Sequence, residues 1–266
     1  GDAVYEAMWQ PLLQGKFGPY TEEVNMAWLW ARLHARTTKL GTFEGGFQAF
    51  ADLFAAKLSG LGVVIELNAR VKKIRPTSVP STNSGQAVQR QTGGKIVVEV
   101  EGSGEQVYDQ ALVTTSPGLL AKLAPDLPKD YLQGLLELKH MGAVVMTLSL
   151  EHSISGEGYY WYNIPKSAGF PFLALVEHTH FVDREHFNGE HLIYCGDYLE
   201  LGHEYFSLSE EELLERFIPG IQRINPDFDR SWVKRIWLHK TNYAQPVPLV
   251  NHSQHIPAIQ TPIEGL

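Results

Sequence analysis

Leu40 to Ile74 reads "LGTFEGGFQAFADLFAAKLSGLGVVIELNARVKKI", and this stretch decides how the rest of the chain is read. Gly45 and Gly46 permit a backbone turn that residues with a side chain resist. Phe50, Leu53, Phe54 and Leu58 then recur at helical spacing, which predicts a helix from about Phe47 to Ser59 with one apolar stripe. Gly60 and Gly62 stop that helix. Val63 to Leu67 follows as an apolar strand and Val71 to Ile74 as a second extended piece. The phosphate-cradling pattern G-x-G-x-x-G, which would complete such a unit, occurs nowhere in the 266 residues.

On the N-terminal side, Tyr5 to Leu13 reads as a short helix broken by Gly15, Gly18 and Pro19. Thr21 is expected to start the next helix, with Glu22 and Glu23 in the first turn, where the helix dipole favours acids. It carries Trp28, Trp30 and Leu33 and ends among Arg32, Arg36 and Lys39. On the C-terminal side, "PTSVPSTNSGQAVQRQTGG" is polar and reads as a mobile loop. Lys95 to Val100 and Gln106 to Thr115 read as two strands joined by "EGSGE", and a helical stretch follows Pro117 as far as about His140. From Met141, "MGAVVMTLSLE", "GYYWYNI", "FPFLALVEH" and "HLIYCGDYLE" are four strand-like runs in succession. Ser209 and Glu212 form a capping box that opens a helix to about Ile224. "SWVKRIWLH" is a further strand, and a proline-rich arm closes the chain. The fold class is α+β: a mixed sheet with packed helices beside a smaller piece that holds the opening stretch.

Composition narrows the function. A net charge of −8, with 22 Lys and Arg in no long run, leaves no basic stripe for a nucleic-acid backbone. No apolar run reaches the roughly 18 residues of a spanning helix. "GDAVYEAMWQ" is not a signal peptide, and the single Cys195 cannot form an internal disulfide, so a cytoplasmic location is expected. Cys195 itself, beside Ile193 and Tyr194, reads as a buried inert thiol.

Gly45-Gly46, the helix, Gly62-Val-Val-Ile, Val71-x-x-Ile74 and then "YDQALVTTSP" together resemble the middle of the FAD-dependent family of flavin amine oxidases, protoporphyrinogen oxidases and carotene desaturases. The tail "AQPVP…IPAIQTPIEGL" is similar to the run-in to that family's last FAD motif. The resemblance implies FAD as cofactor, with Gly45, Gly46, Val71 and Thr115 on the cofactor side. It also implies boundaries: residues 1–44 as a helical part of the substrate domain, 45–117 as a middle slice of the FAD domain, 118–245 as the substrate domain, and 246–266 as an extended arm. With both terminal FAD motifs absent, the chain looks like a fragment, inactive alone and not expected to retain FAD. It is also expected to pair with another copy of itself through unpaired strand edges. The family's lysine beside the flavin falls on Met146, which puts amine oxidation in question.

The candidate substrate residues are Met146, Tyr160, Tyr162 and His178, expected to converge on one apolar wall together with the Trp28–Trp30 helix. Each has a plainer reading as core or surface. His178 and His180, with Asp183 and His186 nearby, admit a metal, but no further ligand spacing supports one, and none is assigned. No acid, base or nucleophile is named as catalytic. The expected function is the substrate-binding portion of an FAD-dependent oxidoreductase acting on a small organic molecule. The alternatives are a flavin-dependent sugar-nucleotide mutase, with Arg184 and Arg235 as weak diphosphate partners, and a ligand-binding module without catalysis.

Overall fold

The computed structural model describes residues 1–37, 39–77 and 94–266. In chain order the elements are α1 (Asp2–Val4), α2 (Gln10–Phe17), α3 (Met26–His34), α4 (Gly46–Gly60), β1 (Val71–Pro76), β2 (Ile96–Val100), β3 (Gly104–Tyr108), α5 (Pro117–Leu123), α6 (Lys129–Glu137), β4 (His140–Leu150), β5 (Trp161–Asn163), β6 (Ala174–Glu177), β7 (His191–Leu199), α7 (Glu210–Ile224), β8 (Val233–Pro246) and α8 (His252–His255). The polar run expected as a loop lies, from 78 to 93, outside the described residues. The chain divides into two compact units. One combines Gly1–Ala35 with Lys139–Val250, and the other combines Arg36–Leu138 with Asn251–Leu266.

The first unit is built on a five-stranded sheet in the order β5-β6-β7-β4-β8, with every neighbouring pair antiparallel. Because directly opposed residues share a face, the register defines two rows across it. Tyr162, Leu175, Cys195, Met146 and Leu238 form one; Trp161, Val176, Tyr194, Thr147 and Trp237 form the other. The first row is the core face. Val144, Met146, Leu148 and Leu150 join Leu213, Leu214, Phe217 and Ile221 of α7 in one buried cluster. The sequence reason is the helical spacing of those four α7 residues, whose polar complement faces water. Ser209 and Glu212 form the expected capping box at the start of α7.

The N-terminal helices belong to the same unit. Leu13 and Phe17 of α2 pack with Met141, Val247 and Tyr198. The cap of α3 is not Thr21, as the sequence suggested, but Asn25. The Thr21 hydroxyl donates back to Gly18 O at 2.7 Å and closes a 3-10 turn over Gly18–Glu23. Asn25 Oδ1 accepts from Trp28 N at 3.0 Å, and its Nδ2 donates to Pro248 O and Leu249 O, so the tertiary contact selects the cap.

The second unit holds the antiparallel sheet β1-β2-β3. Ile74 and Ile96 pack with Leu123, Ala124 and Leu127 of the α5–α6 region and with Ile263. The hairpin expected from "EGSGE" is present, but β3 ends at Tyr108 rather than Thr115. Tyr108 lies opposite Ile96, the first residue of β2, so the ladder has no further partner to offer. Ala111 N instead donates to Gly265 O at 2.7 Å. Val63 to Leu67 is likewise not a strand; no described residue pairs with it, and Val64 and Leu67 are exposed. In α4, the expected apolar stripe exists but no residue is buried. Phe43, Phe50 and Phe54 stack in a ladder at 4.5 and 5.8 Å, and Phe47 is 73% exposed.

Candidate functional site

The four residues expected on the cofactor side all lie in the second unit. Gly45 and Gly46 have φ of 75° and 77°, the left-handed region where a Cβ is unwelcome. They open α4, whose leading N–H groups have no side-chain cap. Val71 begins β1 and packs against the Ile74–Ile96 cluster. Thr115 is exposed, and its hydroxyl donates to Ser116 O at 3.3 Å.

The expected substrate residues divide between the two sides of the first unit's sheet. Met146 is fully buried beneath α7 and offers no surface to a ligand. Tyr162 shares its row, packs against the same cluster and donates its hydroxyl to Ser155 Oγ at 2.8 Å. The more apolar face of β4 is therefore the core face, because α7 supplies a matching apolar stripe; the expectation that it forms the substrate wall is corrected. Tyr160 and His178 do meet, through Phe181, at centroid distances of 5.3 and 6.2 Å. His178 also contacts Phe187 at 5.6 Å and Tyr194 at 5.5 Å, so its imidazole is ringed by aromatic faces. Burial in this setting lowers its pKa from the usual histidine value. The Tyr194–Trp161–Trp237 row continues this aromatic surface, with Trp161 51% exposed. Trp28 is packed edge-on against Phe17, and exposed Trp30 stacks on His34, so neither joins the group around His178.

Sequence reading overlooked Glu177. It ends β6 with its side chain completely buried, where Ser155 N donates to its carboxylate at 2.7 Å and Ser153 Oγ at 2.6 Å. His180 Nε2 lies 3.3 Å and His191 Nδ1 3.6 Å from the same carboxylate. The signal was available: Glu177 stands two residues after Leu175, hence at a core-facing position of an apolar strand. Cys195 is buried as expected, and burial pushes its thiol pKa up. Among the described residues no group of three or more His, Cys, Asp or Glu is placed to hold a metal ion, and no helix is long and apolar enough to cross a membrane.

None of the curated proteins matches the chain. Among solved structures, it is similar to a protein of Exiguobacterium sp. 255-15 described as a candidate protoporphyrinogen oxidase, at 16% identity and TM-score 0.68, covering 97% of this chain and 56% of that one. An oxidoreductase from Methanosarcina mazei is similar at 19% identity and TM-score 0.59, with 84% and 48% covered. Reduced UDP-galactopyranose mutase is similar at 11% identity and TM-score 0.62, with 96% and 55% covered. The chain thus spans about half the length of these solved relatives, and at such identities the likeness is one of fold. The family model for flavin containing amine oxidoreductases matches residues 4–266, so the chain belongs to that family.

Proposed function

We propose that this chain supplies the substrate-facing sheet and a middle slice of the flavin domain to an FAD-dependent oxidoreductase that takes a hydride from a small organic substrate. One observation carries the reading: in the first unit α7 covers one face of the five-stranded sheet, while the opposite face presents Trp161, Tyr194 and Trp237 beside the His178 group. Aromatic bodies with polar tips suit a ligand of mixed polarity. In this reading the aromatic row holds the apolar body of the substrate and excludes water from it. Near neutral pH the His178 imidazole is uncharged, since burial lowers its pKa, and it is available as a hydrogen-bond partner to a polar substituent.

Gly45, Gly46, Val71 and Thr115 would contact the adenosine half of FAD. The fit is supported by the left-handed Gly45–Gly46 backbone, where the lack of side chains allows a dinucleotide to approach the main chain closely. FAD, when bound, supplies the two-electron acceptor; the residues described here bind and orient. The chain alone is proposed not to retain FAD and to be inactive by itself, with self-association through unpaired strand edges of the flavin-domain slice, in the cytoplasm. Titration of the chain with FAD tests the first point: no saturable change in flavin fluorescence at micromolar concentration is expected, and tight binding would overturn it.

The mutase reading is kept by the likeness to UDP-galactopyranose mutase. Its diphosphate partners are weak, because Arg235 is already paired with Glu190 and lies over the Trp237 ring at 5.2 Å. The two readings separate in an intact enzyme that contains this chain, mixed anaerobically with candidate substrates. Bleaching of the flavin by an organic donor supports the oxidoreductase. Turnover of a UDP-sugar without net flavin reduction supports the mutase and refutes the oxidoreductase.

A further inference from the structure

The buried carboxylate of Glu177 joins two segments that are separate in sequence. From the segment after β4, Ser153 Oγ, Ile154 N and Ser155 N donate to it at 2.6, 3.3 and 2.7 Å. From the segment after β6, His180 Nε2 approaches it at 3.3 Å and also lies 3.2 Å from Ser153 Oγ. From β7, His191 Nδ1 sits 3.6 Å away and has no hydrogen-bond partner of its own, although it is buried. Beyond His191 stands Arg184, whose Nη1 is 3.4 Å from Nε2. The end of α7 contributes Asn225, whose Nδ2 donates to Ser153 O and Ile154 O at 3.4 and 3.0 Å. His152 is a further titratable group near His191.

The two segments that meet at this carboxylate are the ones that carry the aromatic group. Tyr159 N donates to Ser155 Oγ at 2.8 Å, so the first segment runs directly from the carboxylate into Tyr159, Tyr160 and Trp161. His178 follows Glu177 immediately, and Phe181 N donates to His178 O at 2.9 Å, so the second segment places His178 and Phe181. Glu177 N itself donates to Tyr160 O at 2.9 Å. One residue is thus bonded, through backbone and side chain, to both halves of the wall. A buried carboxylate with this many donors is costly to disturb, because any partner removed leaves a polar group unpaired.

We propose that Glu177 is the positioning residue of the His178–Tyr160–Phe181–Tyr194 group: its carboxylate, hydrogen-bonded by Ser153, Ile154 and Ser155 and flanked by His180 and His191, locks the Ser153–Trp161 and His178–His191 segments into one rigid wall. The assignment rests on reading that wall as the substrate face, but the lock is a property of this chain and is measured without substrate.

The experiment compares the wild-type chain with Glu177→Gln, which keeps the shape and loses the charge. Amide hydrogen exchange should rise in both segments together, by about tenfold or more, the scale of losing hydrogen bonds to a charged acceptor, while α7 and the β4–β8 ladder keep their protection. Imidazole titration followed by NMR supplies the readout that simple loosening would not move. Glu177 raises the His191 pKa against burial, so in Glu177→Gln His191 should titrate at lower pH than in wild type. If Glu177→Gln does not fold, Ser153→Ala removes one donor and leaves the backbone N–H bonds; exchange should still rise in both segments, by less. A rise confined to one segment, or a His191 titration unmoved by Glu177→Gln, overturns the positioning role. Failure of every substrate to bind would instead sink the reading of the sheet face and leave the lock standing.

Discussion

Replacing Met146 by lysine sets the two readings of β4 against each other. Lysine is what the family resemblance places at this position, and an open wall would tolerate it. Met146 is instead fully buried among Val144, Leu148, Leu213 and Phe217. Losing the buried methionine side chain removes roughly 1.5–3 kcal/mol of burial free energy. A buried lysine then has its pKa depressed by up to about 3–5 units; counted at about 1.36 kcal/mol per unit from the folded-state pKa or pH 7, whichever is higher, up to about 10.4, that is roughly 4–5 kcal/mol at neutral pH. Either sum is large against the ~5–15 kcal/mol by which a domain is stable. The sign with pH follows. The folded-state pKa lies below the unfolded value, so the penalty is full below the folded-state pKa, is still large at neutral pH and is relieved as pH rises toward the ordinary lysine value of about 10.4. Met146→Leu, which conserves volume, should cost less than ~1.5 kcal/mol. Urea unfolding followed by amide exchange in β4 and α7 reads the first unit without contribution from the second. Met146→Lys should lose most of its protection at neutral pH and regain part of it in alkali. A lysine variant within ~0.5 kcal/mol of wild type at neutral pH, with no gain in alkali, would refute the assignment of this face to the core.

Gly196→Ala should destabilise the same sheet by ~1–3 kcal/mol, because a Cβ there would meet Val144 O at 2.7 Å across the β4–β7 ladder, whereas Gly156→Ala, with open space around it, should be neutral in the same melt. Acid should weaken the first unit: burial lowers the pKa of both His178 and His191 from 6.5, so the unfolded chain takes up protons first, and stability falls as pH drops through that value toward the lowered folded-state ones. Urea midpoints at about pH 7.5 and about pH 5.5 check this, and equal midpoints would show that neither imidazole is shielded.

The strand series from Met141 and the box at Ser209 and Glu212 were legible because each is a local signal: alternation of period two, or one side chain reaching three residues along. Which face of β4 is covered was not legible. Alternation separates Val144, Met146 and Leu148 from Val145 and Thr147, but only the partner, α7, says which set is inside. Thr21 and Asn25 are both good caps, and the choice was made by carbonyls of Pro248 and Leu249 more than two hundred residues away. The aromatic group around His178 combines a strand residue, Tyr194, with two short helical turns, so it has no period to find. Glu177 was passed over for the histidines beside it, although its spacing from Leu175 already turned it inward.

Strand β4 is central in the sheet, yet its two neighbours are made long after it: β7 begins at His191 and β8 only at Val233, while β4 ends at Leu150. During synthesis at about 5–20 residues per second, Met146 and its apolar neighbours therefore leave the ribosome roughly 4–16 seconds before β8 exists to pair with them. The helix that covers them, α7, arrives only shortly before that strand. The nascent chain must carry an apolar, eleven-residue strand with its β8 edge unpaired through this interval, which makes β4 the segment on which a chaperone such as a holdase would act and the place where faster translation shortens the exposure.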